Sequence, residues 1–188
     1  MRAIVFPIVG PTTVCSPFGD PRGTGSHHGI DICAPMGTPV LAPDSGDVRF
    51  GTDPKGGIVA LVDGDGGGTW YLAHLQRING ANRSVAAGDV VGFVGMTGNA
   101  STTLPHTHVE AWPTGDYTSY IDPTPLLATA QRFSKPPAGA VRPLTRGQAL
   151  LVGAGVVGFS ALLAWAMTRR SLLPSRSQRS LDRVRAGS

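Results

Sequence analysis

The sequence predicts a compact antiparallel β-sheet domain followed by a single C-terminal transmembrane α-helix. Two observations carry that prediction. Twenty-six glycines and sixteen prolines among 188 residues punctuate short apolar runs, with few helix-period stretches before residue 146, which is the pattern of short strands joined by tight turns. Residues 147–167 then run without a charge, long enough as a helix to cross a bilayer core of about 30 Å. The length allows one domain of ordinary size plus an appended segment.

The net charge of +4 and pI near 9.6 would suit a nucleic-acid or membrane-surface protein, but the charge is unevenly divided. Residues 1–134 carry seven Lys and Arg against eleven acidic residues, net −4; residues 135–188 carry nine against Asp182 alone, net +8. The basicity belongs to the tail, so a nucleic-acid partner is not expected for the domain. The boundaries follow: a folded domain at 1–134, a proline-rich linker at 135–146, a transmembrane helix at 147–168 and a basic, disordered tail at 169–188. Arginines beyond the helix place the tail on the cytoplasmic side and the domain on the other.

Residues 1–10 hold one positive charge and a short apolar run broken by Pro7. This is too interrupted for a secretory leader and reads as the first strand. Phe18-Gly19-Asp20-Pro21 is a turn. From Gly29 to Val48 the chain alternates strand and turn three times, with turn residues at 35–37 and before Gly46. Strands at 58–63 and 69–75 are joined by a hairpin loop over the Asp/Gly tract of 63–68, which lacks the spaced ligands of a calcium loop. Gly88-Asp89 interrupts the run 85–94, and a loop over 95–103 delivers the chain to His106. Asp122-Pro123 begins a closing turn and a short helix. Cys15 and Cys33 are too few for a disulfide framework and lack the second pair of a zinc ribbon; one bridge in an oxidising compartment and two small buried residues are both open.

The chemistry gathers around Pro105-His106-Thr107-His108-Val109-Glu110. Two histidines two apart on a strand face the same side, which is half of a metal site. The remaining histidines are His27, His28 and His74. His27 and Asp31 flank Gly29 where a loop enters a strand, so a tight backbone brings both side chains to one point. With His108 they offer nitrogen, oxygen and nitrogen, a three-ligand set that leaves the fourth position of zinc open, as in catalytic rather than structural sites.

The order His-x-Gly-x-Asp, Gly-Thr-Pro-Val, Tyr-x-x-His-Leu and Pro-His-x-His-x-Glu, spread over roughly residues 5–128, resembles the lysostaphin/LytM-type zinc metallopeptidases. These are endopeptidases that cut peptide cross-links of bacterial peptidoglycan. The resemblance implies Zn²⁺ held by His27, Asp31 and His108. It implies catalytic roles for His106 and His74, with His106 as the base, His74 as the oxyanion partner and the two roles exchangeable. It further implies peptidoglycan cross-links as substrate. With the lipid bilayer engaged through 147–168, it suggests a membrane-anchored hydrolase facing the wall or a virion-associated lytic protein. A non-catalytic wall-binding adaptor, or an activator of another wall hydrolase, is the alternative. Two positions depart from the family pattern, Leu104 where a small residue is usual and Thr107 where leucine is usual. His28 reads as an exposed neighbour, Tyr71 as groove lining or core, and Glu110 as a partner of a ligand imidazole or a surface group. Trp70 and Trp112 read as packing.

Overall fold

The computed structural model describes residues 4–23, 25–115 and 119–141. Its strands are β1 (Thr13–Ser16), β2 (Pro21–Arg22), β3 (Gly25–Ser26), β4 (Ile30–Cys33), β5 (Pro39–Leu41), β6 (Gly46–Asp53), β7 (Gly57–Gly64), β8 (Thr69–Leu75), β9 (Arg77–Ile78), β10 (Arg83–Val85), β11 (Val90–Phe93) and β12 (His106–Trp112). A five-residue helix, α1 (Thr124–Ala128), follows.

Seven strands form one sheet in the order β1-β4-β12-β8-β7-β6-β10, and three form a second in the order β5-β11-β9. All strand pairs are antiparallel, as the short runs and tight turns predict. The longest ladder, β6 with β7, keeps an uninterrupted register from Gly46↔Gly64 to Asp53↔Gly57. Ile30, Ile32, Leu72, Val109 and Ala111 line one face of the large sheet and bury themselves with Phe6, Ile8, Val40 and Val91. That face needs the hydrophobic effect to hold it; the opposite face is thereby released for polar side chains.

The expected first strand is not formed as one. Among residues 4–10, Val5 and Ile8 make only isolated bridges, to Gln131 and Val40. Pro7 between them has no N–H with which to continue a ladder, although its carbonyl accepts from the Leu41 N–H at 2.7 Å. Cys15 and Cys33 are joined as a disulfide, which ties the edge strand β1 to β4. Within residues 135–141, Ala140 is buried in the smaller cluster with Leu41, Val90 and Phe93, and its carbonyl accepts from the Val90 N–H at 3.0 Å. The membrane helix expected at 147–168 and the tail at 169–188 lie outside the described residues. Among those described, no helix is long and apolar enough to cross a membrane.

Thr107 points from β12 into the core, fully buried, and its hydroxyl has no hydrogen-bond partner. A buried hydroxyl left unpaired costs about 1–3 kcal/mol. Thr107→Val keeps the shape and removes the polar atom. It is expected to raise stability by about 1 kcal/mol, read as a higher midpoint of thermal unfolding; a lower midpoint would contradict the assignment.

Candidate metal centre

Strand register assembles the site. On β12, Thr107, Val109 and Ala111 turn to the core, so His106, His108 and Glu110 turn to the other face. In the ladder with β4, His108 stands opposite Asp31 and His106 opposite Cys33; in the ladder with β8, His108 stands opposite Ala73 and Glu110 opposite Tyr71. Directly opposed residues share a face. His27 arrives from the loop just before β4, where Gly29 admits no side chain: a Cβ there would lie 2.3 Å from the Val109 carbonyl oxygen.

His27, Asp31 and His108 form a cluster able to hold a metal ion. Asp31 Oδ1 lies 3.1 Å from His27 Nε2 and 2.9 Å from His108 Nδ1, and the two nitrogens are 2.8 Å apart. The other nitrogen of each ring is committed. His27 Nδ1 donates to the Pro17 carbonyl at 2.8 Å, and His108 Nε2 donates to Glu110 Oε1 at 2.8 Å. Both acceptors lack protons, so in the neutral rings the lone pairs lie on His27 Nε2 and His108 Nδ1. Two lone pairs and a carboxylate oxygen so close together repel one another unless a cation lies among them. Tetrahedral zinc with arms of about 2.0–2.1 Å has edges of about 3.3 Å, so this triangle accepts it with a small outward movement. The residues fit the ion.

The electrostatics of the three side chains point the same way, favouring positive charge among them. Burial works to lower the His108 pKa, but hydrogen bonds to Asp31 and Glu110 outweigh it and raise it to about 9. Burial works to raise that of Asp31, yet hydrogen bonds from His108 and His27 hold it well below the usual carboxylate range. Glu110, steadied by the Trp112 indole N–H at 2.7 Å, is likewise lowered against its burial by the His108 hydrogen bond.

His74 reaches this face by breaking the rule that places the others. Tyr71 and Ala73 face the site, so regular alternation would send His74 to the core. Between Ile58↔Leu75 and Ala60↔Leu72 the β7–β8 register slips, setting Ala73 and His74 against Val59 alone. His74 itself is left-handed, with φ 62°. This is a β-bulge that re-aims a side chain, and it sends Leu75 back into the core, fully buried. Backbone and ring are then both held: the His74 N–H donates to the Gly56 carbonyl at 2.7 Å, and Nδ1 donates to the Thr97 carbonyl at 2.9 Å. His106 Nδ1 donates to the Leu104 carbonyl at 2.7 Å. The two rings meet edge to face with centroids 4.9 Å apart, each with Nε2 free of a backbone partner. Gly95 makes the approach feasible: its carbonyl accepts from the His106 N–H at 3.2 Å, and a Cβ there would lie 2.6 Å from the His74 carbonyl oxygen.

All five positions singled out in the sequence thus converge on one face. Glu110 is a partner of a ligand imidazole rather than a surface group. Tyr71 is half-buried on the site face, its hydroxyl donating to Asp53 at 2.5 Å and its ring stacked on Trp112 at 5.4 Å. His28 is exposed and stacks on Tyr120 at 4.0 Å. Sequence reasoning missed Arg22, whose guanidinium donates to Asp31 Oδ2 at 2.9 Å, and the carbonyls of Pro17, Thr97 and Leu104. An arginine in a glycine-flanked turn five residues before His27 was the available signal for Arg22; carbonyls carry none.

Two imidazoles and a carboxylate around an open position, with two further imidazoles beside them, define a metallohydrolase-type centre. The chain matches the family model described as Peptidase family M23 over residues 25–123, and it belongs to that family. It is 40% identical over 112 residues to the DD-carboxypeptidase/endopeptidase Mpg of Neisseria meningitidis, covering 56% of this chain and 25% of that protein. It is 34% identical over 111 residues to lysostaphin of Staphylococcus simulans, covering 56% and 22%. The chain therefore spans about a quarter of the length of these relatives. Among solved structures, the lysostaphin catalytic domain superposes with a TM-score of 0.53 at 27% identity, covering 63% of this chain and 92% of that one. LytU does so with 0.55 at 31%, covering 62% and 84%.

Two expectations follow for His74. Asparagine tolerates the left-handed backbone better than alanine, so His74→Asn should keep close to wild-type stability, while His74→Ala loses about 1 kcal/mol more, measured by denaturant unfolding. Burial, with help from His106 and His108 and against the Thr97 carbonyl, lowers the His74 pKa from 6.5 to about 4. A depressed histidine pKa means that the unfolded chain takes up the proton first. Stability of the metal-free chain should therefore fall as pH drops from 6.5 towards 4, by no more than about 2 kcal/mol after solvent screening. His74→Asn should flatten that slope; an unchanged slope would place its cause elsewhere.

Proposed function

We propose that this chain is a zinc-dependent endopeptidase that hydrolyses peptide cross-links of bacterial peptidoglycan. The observation that carries the reading is the pair of ring tautomers beside the His27, Asp31 and His108 triangle. His74 and His106 each spend Nδ1–H on a backbone carbonyl, leaving Nε2 as an acceptor where a water would be activated. Membership of Peptidase family M23 and the names borne by the relatives, a DD-carboxypeptidase/endopeptidase and a glycyl-glycine endopeptidase of Staphylococcus capitis, support this substrate class. Anchoring through residues 147–168, and a wall-facing or virion-associated setting, rest on the sequence alone.

Zinc held by His27, Asp31 and His108 would supply Lewis acidity, bringing the pKa of a water towards ~7 and polarising the scissile carbonyl. His106 Nε2 takes the proton from the attacking water and returns it to the leaving amine. His74 is a poor base near neutral pH because its pKa is lowered to about 4, which leaves that task to His106. An oxyanion donor would need a proton on Nε2, whereas the Thr97 carbonyl keeps it on Nδ1. His74 therefore serves as an acceptor that orients the water.

Purified peptidoglycan incubated with the full chain should release muropeptides. Release should stop with a chelator, resume on adding zinc, and fall by at least about 100-fold in His106→Ala. Wall binding without release by a zinc-loaded chain would replace the hydrolase reading with the adaptor.

A further inference from the structure

Asp31 has two carboxylate oxygens, and the structure treats them differently. Oδ1 faces the two histidine nitrogens at 3.1 and 2.9 Å. Oδ2 is turned aside and accepts from Arg22 Nη2 at 2.9 Å. The same Nη2 donates to Ser16 Oγ at 2.8 Å, and that hydroxyl donates to Asp20 Oδ2 at 2.8 Å. Both protons of Nη2 are thus used, and the guanidinium is braced between β1 and β4, whose pairing is stapled by the Cys15–Cys33 disulfide. The Arg22 side chain is 50% exposed while that of Asp31 is 11% exposed, so the contact closes one side of a largely buried carboxylate.

The placement matters because a carboxylate can bind a metal through one oxygen or both. A site with three protein ligands works only while its fourth position stays open. If Oδ2 swung inwards beside Oδ1, it would take up that position. A guanidinium is always charged and its hydrogen bonds to carboxylates are strong and directional, so it can hold Oδ2 away at any working pH. We propose that Arg22 is a positioning residue that keeps Asp31 a one-oxygen ligand and so keeps the fourth coordination position open. The inference rests on reading the cluster as the metal centre of a metallopeptidase. It assigns Arg22 no contact with substrate.

Cobalt(II) in place of zinc tests this without substrate, since four-coordinate cobalt absorbs visible light far more strongly than five-coordinate cobalt. The full chain loaded with one equivalent of Co²⁺ should show the intense band. Arg22→Ala should bind the ion yet lose most of that intensity, as the second oxygen of Asp31 enters the coordination sphere. Arg22→Lys, whose ammonium can donate to the same oxygen, should recover it at least in part. If Arg22→Ala does not fold, Arg22→Met, which keeps the apolar stem and has no hydrogen-bond donor, carries the same readout. An intense band unchanged in a cobalt-loaded alanine or methionine variant overturns the proposal. A wild-type chain that takes up no cobalt overturns the metal-centre reading itself, so the two failures are distinguishable.

Discussion

The site depends on the two-residue period of β12 and its register with β4 and β8. Once Val109 and Ala111 are committed to the core, His106, His108 and Glu110 have no freedom about which way to face. A slip of one residue would bury three polar side chains and expose three core ones, and the hydrophobic term forbids it. Asp31 is fixed by the same logic from β4, where Ile30 and Ile32 are the buried neighbours. The polar centre is thus aligned by apolar residues on the far side of the sheet. His74 is the exception, and its cost is a left-handed backbone at a β-bulge. That arrangement survives because Gly56, Thr97 and Gly95 hold the segment from three directions, as expected of strain retained where a side chain must be re-aimed.

Around the candidate ligands lies a layer of partners that are mostly not side chains of the same chemistry. Pro17, Thr97 and Leu104 contribute only carbonyl oxygens; Glu110 and Arg22 contribute charge. Each carbonyl decides which nitrogen of an imidazole carries its proton, and with it whether that ring donates or accepts towards the centre. The turns that carry Pro17, Thr97 and Leu104, which look like simple connections, therefore set the protonation pattern of the site.

The sequence made most of this legible. Glycine and proline spacing gave away the strands, the His-x-His pair revealed the face, and His27, Asp31 and His74 fell into a recognisable order with it. What it hid has physical causes. Residues 4–10 are apolar enough for a strand, but Pro7 removes the ladder donor and the segment settles as isolated bridges. Alternation read along Tyr71, Ala73 and His74 would have placed His74 in the core, because a bulge is a property of two paired strands and is invisible in one. Cys15 and Cys33 could have been two buried thiols; only the register of β1 on β4 brings them together. Arg22 lies in a short hairpin whose role appears once Asp31 is seen from the side.

The left-handed backbone of His74 also bears on how such a site can be lost over evolutionary time. Apart from glycine, asparagine is among the residues that accept this conformation most readily, and asparagine codons differ from histidine codons in one base. A single transversion can therefore exchange this imidazole for an amide while leaving the left-handed backbone that the bulge requires.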